Sequence, residues 1–306
     1  MDIDGEGASS APRLRIFISS AAQNANRRQA LRKSWFRYLA DPSIQSSVSV
    51  CFVLSKDSES EELAQEQAQH GDLVLVNAPP GYHNLWRKAL VFLAWLEERS
   101  SSGGGSDSYD FVMHADDDSF LRLDLLVPLM AGWPRQRFYW GYIWDGTGNR
   151  VTAPIRNPAN KSHMPQEQYP LDYYPPFASG CGFVLSRDLV RALLAQPLPD
   201  YRLLDPPFGI HLCGPPELCV LPDGPVTPLH DDRVRPYRPL PTFRPDTLVQ
   251  HYLRPEEMRP FYQQALEAAS GDAAPAAGPS SQQDTSSSSA PAELYNTLVS
   301  LGLLRR

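Results

Sequence analysis

No window of the 306-residue sequence approaches the ~18 uninterrupted apolar residues that mark a membrane-spanning helix. The N-terminus, MDIDGEGASSAPR, has neither the basic region nor the apolar core of a secretory signal, so the chain as written reads as soluble and without an address. Cysteine is scarce. The four present, Cys51, Cys181, Cys213 and Cys219, are too few for a disulfide scaffold and include no CxxC pair for structural zinc. Cys213 and Cys219 would either close a small loop in an oxidising compartment or remain buried thiols. Positive charge is in deficit, with 28 Lys and Arg against 35 Asp and Glu. The net charge of −7 excludes a basic binder of phosphate backbones, so nucleic acid is not an expected partner. One sequon, Asn160-Lys161-Ser162, matters only if the chain enters the secretory pathway.

What is present is a hydrophobic content of 42%, enough for one large domain or two modest ones. Residues 1–12 are small and polar and read as a disordered lead. RLRIFISSA (Arg13 to Ala21) reads as a buried strand, and RRQALRKSWFRYLA continues as a helix with Leu31, Trp35 and Leu39 at helical spacing. Strands are expected again at Ser47 to Ser55, Asp72 to Ala78, from Phe111, and at Phe138 to Trp144. Helices are expected after Ser58 and from Leu85 to about Arg99. Ser100 to Ser108, SSSGGGSDS, reads as a flexible loop. This alternation predicts an α/β fold with a mainly parallel sheet, whose ligands bind beyond the carboxyl ends of the strands. From Pro154 to Pro260 the chain is irregular apart from a strand-to-helix element at Ser179 to Ala195. Residues 270–292 are low-complexity and read as disordered, followed by a short segment 293–306. The expected domain therefore spans residues 13–266, with halves at 13–144 and 145–266.

FVMHADDDSF (Phe111 to Phe120) drives an apolar run into three aspartates. On a strand, Asp116 and Asp118 point one way and Asp117 the other. Two carboxylates sharing a side at a buried strand end repel each other unless a cation lies between them, and hard oxygen ligands suit Mg²⁺ or Mn²⁺. A solvated acidic turn is the plainer alternative, and the strand-end position weighs against it. Arg28 and Arg32, one helical turn apart, and Lys88 supply cations near strand ends.

Arg27-Arg28-x-x-Leu31-Arg32-x-Ser34-Trp35, Asn84-Leu85-x-x-Lys88, Ala115-Asp116-Asp117-Asp118-Ser119-Phe120, Tyr139-Trp140-Gly141 and Tyr173-Tyr174-Pro175-Pro176-x-x-Ser179-Gly180-Cys181-Gly182-Phe183 occur in this order. In that order they resemble the β-1,3-galactosyltransferase family of hexosyltransferases, most nearly its proteoglycan linker-region branch. The resemblance implies a GT-A nucleotide-sugar transferase fold with a Rossmann-like sheet and an irregular acceptor lobe. It also implies a UDP-sugar donor, a glycan, glycoprotein or proteoglycan acceptor, Mn²⁺, inversion at the anomeric carbon and the Golgi, with a membrane reached only through an anchor not seen in this sequence. It assigns Asp116, Asp118 and His251 to the metal, with Asp118 a direct ligand. It assigns Arg28, Arg32, Lys88, Asp116, Asp117, Gly180 and Gly182 to the donor. Cys181 stands where the family has a further glycine. The base of the family lies in an EDV segment with a glycine four residues after its aspartate. Leu203-Leu204-Asp205-Pro206-Pro207-Phe208-Gly209 keeps that spacing and puts Asp205 on the base, but Leu204 and Pro206 replace the flanking residues. Glu217 is the alternative base, and a degraded motif also permits an inactive homologue that binds without turnover.

Overall fold

The computed structural model describes residues 11–58, 60–102, 108–239 and 242–270. Most of the expected N-terminal lead, and both segments expected after residue 270, lie outside them.

β1 (Leu14–Ser19) leads to α1 (Ala25–Arg32) and a short α2 (Pro42–Gln45). β2 (Val48–Ser55), α3 (Glu61–His70) and β3 (Leu73–Val76) follow, then α4 (Leu85–Ser102), β4 (Phe111–Asp116), β5 (Phe120–Leu121) and α5 (Leu123–Met130). The second half holds β6 (Tyr139–Trp144), β7 (Phe177–Ser186), α6 (Arg187–Leu194), α7 (Asp205–Cys213), β8 (Leu229–His230), β9 (Val234–Arg235), β10 (Val249–Gln250) and α8 (Pro255–Ser270). Seven strands form one sheet in the order β3-β2-β1-β4-β7-β6-β8, and β5, β10 and β9 form a second. Within the large sheet β7 alone runs against its neighbours, so the sheet is mainly parallel, as the strand and helix alternation predicts.

Alternation along each strand divides the core into two layers. Ile16, Ile18, Phe52 and Met113 pack with Leu31, Trp35 and Met258 on one face, while Phe17, Val53 and Val112 pack with Trp86, Phe92 and Leu189 on the other. Burial on both faces explains why these strands read as continuous apolar runs. The order β2-β1-β4 also sets the carboxyl ends of β1 and β4 side by side, with Ser19 opposite Asp116.

Several expected boundaries move. The helix expected through Ala40 stops at Arg32 because the Ser34 hydroxyl donates to the carbonyls of Ala30 and Leu31, and a 3₁₀ turn, Trp35–Ala40, follows. In that turn Trp35 Nε1 donates to the Ser119 carbonyl at 3.2 Å, tying it to the acidic stretch. The helix expected from Ser58 is α3, capped by the Ser60 hydroxyl and ended by Gly71 at φ 67°. Ser100 to Ser102, expected as loop, complete α4, and residues 103–107 lie outside the described ones. Beyond Pro154 the chain is more regular than expected, since α7 and α8 both fall there. Among the described residues no helix is long and apolar enough to cross a membrane.

Candidate active site

The three aspartates diverge, but only Asp116 lies on a strand. β4 ends at Asp116 and the chain turns through Asp117 and Asp118. The Asp117 carboxylate faces the start of α1, accepting from the Ser20 hydroxyl (2.8 Å), the Asn24 amide (2.8 Å) and the Arg27 guanidinium (2.9 Å). Asp116 and Asp118 face the other way. His251 Nε2 lies 3.0 Å from Asp118 Oδ1 and 3.4 Å from Asp116 Oδ2, and one ligand atom from each of the three falls within 4.8 Å of the others.

Asp116 keeps 30% of its side-chain surface exposed but is otherwise closely surrounded. Burial, followed by the nearby charges of Asp118, Asp205 and Asp117, outweighs His251 and pushes its carboxyl up to about 7. Burial opposes the charge on His251 as well, yet Asp118 and Asp116 raise it. Two carboxylates and one imidazole, crowded enough that burial and mutual repulsion oppose the charge on Asp116, form a donor set suited to a hard divalent cation. The residues present therefore fit the metal that the motif implies, and Asp116, Asp118 and His251 would hold it.

Packing positions His251. Gly182 in β7 lies so close to Val249 of β10 that a Cβ there would meet both Val249 methyl groups at 3.0 Å. The small residue allows β10 to lie against β7 and bring the next residue but one, His251, over Asp118. Tyr252 stacks on the imidazole, ring centroids 3.9 Å apart, with its backbone at φ 59°. A non-glycine residue in that region is strained, and such strain collects at functional sites.

Asp205 is the first residue of α7 and donates nothing; its Oδ2 accepts from the Gly180 backbone N–H at 2.8 Å. Pro206 and Pro207 suit the first helical turn, whose N–H groups have no intrahelical acceptor, so the two prolines start the helix. Gly209, one turn on, has no room for a side chain, because a Cβ would lie 2.5 Å from the Pro176 carbonyl and 2.6 Å from Phe177 Cβ. The aspartate-to-glycine spacing thus has a mechanical basis: Gly209 seats α7 against β7, and Asp205 on the same helical face then reaches Gly180. A Cβ at Gly180 would sit 2.3 Å from Asp205 Oδ1. Burial pushes the Asp205 carboxyl up to about 6 against the Gly180 N–H and His251, which favour its charge. Glu217, the alternative base, is exposed on the turn after α7.

The cations divide differently from expectation. Arg28 and Arg32 share the helix face turned toward α3, where Glu66 pairs with both and Asp72 with Arg32. Only Arg28 also reaches the end of β1, donating to the Ala21 carbonyl at 2.6 Å and the Ser20 hydroxyl at 3.2 Å. Arg27, which opens the first of the ordered motifs but receives no role from the resemblance, bridges Asp117 and Asp118 at 2.9 and 3.1 Å. It lies about 100° round the helix from Arg28, toward the strand ends. Lys88 is buried and donates to the Ser20 carbonyl at 2.8 Å; burial brings its ammonium down to about 8 against the pull of Asp117 and Asp116.

His114 was also missed, since nothing in an apolar strand marks it. It is fully buried, and burial brings its imidazole down to about 3, so it is neutral. A carbonyl only accepts, so Nδ1–H donates to Gly180 O (2.7 Å) and Nε2 accepts from the Ser19 hydroxyl (3.0 Å). The same glycine whose N–H meets Asp205 is therefore fixed from its other side by β4. The four cysteines are free, and burial drives the thiols of Cys51 and Cys213 up to about 12 and that of Cys181 well above its usual range.

The galactosyltransferase family model matches residues 26–198, more than half of the chain. The chain belongs to the galactosyltransferase family. Its relatives include mouse beta-1,3-galactosyltransferase 6, 39% identical over 187 residues covering 59% of this chain and 53% of the relative. Beta-1,3-galactosyltransferase 5 of Pan paniscus is 28% identical over 208 residues, covering 66% and 64% respectively. The β-1,3-galactosyltransferase kinship expected from the ordered motifs is thus shown, although the chain spans about half the length of the first of these relatives. Among solved structures, the galactosyltransferase LgtC in complex with donor and acceptor sugar analogs is similar at a TM-score of 0.30 and 12% identity over 60% of each chain. A 4-diphosphocytidyl-2C-methyl-D-erythritol synthase from Anaerococcus prevotii is similar at 0.33 and 12%, over 62% of this chain and 78% of the synthase. The matched span runs from α1 to just past α6 and includes the aspartate triplet, but stops short of Asp205 and His251.

Proposed function

We propose that this chain is an inverting β-1,3-galactosyltransferase that transfers galactose from UDP-galactose to a glycan or glycoprotein acceptor, with Mn²⁺, in the Golgi. The observation that carries the reading is the meeting of two independent clusters, Asp116, Asp118 and His251 on one side and Asp205 on Gly180 on the other, at the carboxyl ends of β1 and β4. A divalent cation bound by the first cluster supplies charge neutralisation to the departing diphosphate. Lys88 and Arg27 place positive charge beside it, and Arg28 secures the Ser20–Ala21 backbone that Lys88 also contacts. Asp117 holds the start of α1 to the end of β4 through Ser20, Asn24 and Arg27.

In this reading Asp205 takes the proton of the acceptor hydroxyl as that oxygen attacks the anomeric carbon from the face opposite the leaving UDP. Its environment suits the task, because burial raises the carboxylate's basicity while the Gly180 N–H keeps it oriented. The test is UDP release from a panel of UDP-sugars, with galactosyl-xyloside and galactoside acceptors, in Mn²⁺ and in EDTA. Acceptor-stimulated release confined to UDP-galactose and stopped by EDTA is expected. Release from another UDP-hexose in preference would reassign the donor, and retained UDP binding without any release would make the chain a binding homologue.

A further inference from the structure

Outside the metal cluster, an open cleft of about 440 Å³ lies along β9, β10 and the segment before them. Its size is that of a site for one or two sugar rings. On a chain with a net charge of −7 its lining is inverted in sign, with Arg235, Arg238 and Arg244 against the single carboxylate of Asp232. Asp232 is engaged by His230 at 2.9 Å, and Arg235 by Asp246 at 2.8 Å. Among the described residues no carboxylate lies within 4 Å of Arg238 or Arg244, the Arg238 charge being felt only at longer range by Glu257. Two further observations point to a ligand. Thr247, with no exposed surface, lines the cleft and its hydroxyl has no hydrogen-bond partner, an arrangement that is costly unless something completes it. Tyr237, 49% exposed, stands at the cleft wall and is held edge-on by Tyr142 and Trp144, with ring centroids 5.8 and 6.1 Å away. A fixed aromatic face beside arginines matches a sugar ring, whose C–H face lies on the aromatic, carrying an anionic substituent that forks onto guanidinium.

We propose that this cleft binds a negatively charged saccharide, a uronate or a sulfated sugar, as part of the acceptor glycan. Calling the ligand an acceptor rests on the transferase reading above; the binding itself does not. The cleft adjoins the metal cluster through β10. Gln250 lines it and donates to the carbonyls of Tyr237 and His251, and His251 is the imidazole of the cluster. An acceptor chain lying over Tyr237 is thereby next to the residues that would hold the donor.

The experiment is calorimetric titration of the protein in EDTA, without UDP, with a glucuronosyl-galactoside, a sulfated galactoside, methyl galactoside and inorganic sulfate. At least one charged saccharide should bind tenfold or more tightly than methyl galactoside and than sulfate alone, and the tighter of the two names the anion. In the exposed double variant Arg238→Ser with Arg244→Ser that advantage should fall to within twofold of the neutral sugar. It should persist in Asp118→Ala, so loss of transfer and loss of this site are seen separately. Equal binding of neutral and charged saccharides, equal binding of inorganic sulfate, or an unaltered advantage in the arginine variant would each overturn the proposal.

Discussion

At the residue scale the proposed transfer makes Asp205 the base, a role that requires an ionised, correctly aimed carboxylate. Asp205→Asn keeps the shape and the Gly180 contact but not the basicity, so transfer should fall by roughly 10²- to 10⁴-fold while UDP affinity in Mn²⁺ is kept. Full activity in that variant would move the base to Glu217 or elsewhere. The pH dependence follows from the sign of the shift. The folded carboxyl is raised to about 6, and the form that accepts a proton is the ionised one. Transfer is therefore expected above about pH 6 and should be lost as pH falls through it; a limb near 4, where an ordinary aspartate titrates, would exclude this residue. Gly180→Ala tests the geometry separately, since its Cβ would stand 2.3 Å from Asp205 Oδ1. The carboxylate must swing away, and kcat should drop with donor KM little altered. Equal loss of donor binding would mean that Gly180 serves the nucleotide sugar directly, as its motif implies.

At the element scale, α4 is tied to α6 by one carboxylate. Glu97 accepts from Arg187 (2.7 Å), Arg191 (2.8 Å) and the Tyr109 hydroxyl (2.9 Å). Burial works against its charge, but these donors prevail and hold the carboxyl at about 2. A depressed carboxylate contributes stability that is fully present above its unfolded value near 4.5 and is lost as pH falls toward 2. Glu97→Gln should cost roughly 2 kcal/mol in urea unfolding at pH 7, and the difference from the parent should shrink below pH 4. A cost independent of pH would show that packing, and not charge, makes the joint. The elements most legible in the sequence are those whose signal is local. β1, β2 and β4 announce themselves as apolar runs because both faces are covered, and α3 through its Ser60 cap and terminal Gly71. α7 was illegible because Pro206, Pro207 and Gly209 are individually helix breakers. Only its packing on β7 shows that the prolines sit where no N–H is needed and that the glycine sits where no side chain fits. β5, β9 and β10 span two residues each and have no period to detect. The same limit applies to the site. The grouping of Asp116 with Asp118 was legible in the triplet although the turn after β4, not strand alternation, produces it, whereas the preference for Arg27 over Arg32 at the aspartates depends on which face of α1 meets α3.

At the scale of the whole molecule, the candidate metal cluster joins parts of the chain far apart in sequence, Asp116 at the end of β4, Asp118 in the turn after it and His251 from beyond β10. A cation held by all three binds the folded chain and has no comparable site in the unfolded one, so it must stabilise the fold by mass action. At a hundredfold excess over its Kd the gain is about 2.7 kcal/mol, which for a domain of this size raises Tm by roughly 5–10 °C. The expected result is a Mn²⁺-dependent rise in Tm that EDTA reverses and that disappears in Asp118→Ala, together with metal-dependent UDP binding. Asp118→Ala itself should fold, because the Arg27 side chain that it releases keeps Asp117 as partner. Against burial, ion pairs with His251 and Arg27 hold the Asp118 carboxyl below its ordinary value, so without metal the variant should be somewhat less stable than the parent, and each Mn²⁺ shift is read against the same protein's metal-free Tm. A Mn²⁺ shift that survives in Asp118→Ala would place the ion elsewhere and leave the three side chains as an ion-paired structural joint between β4 and the small sheet.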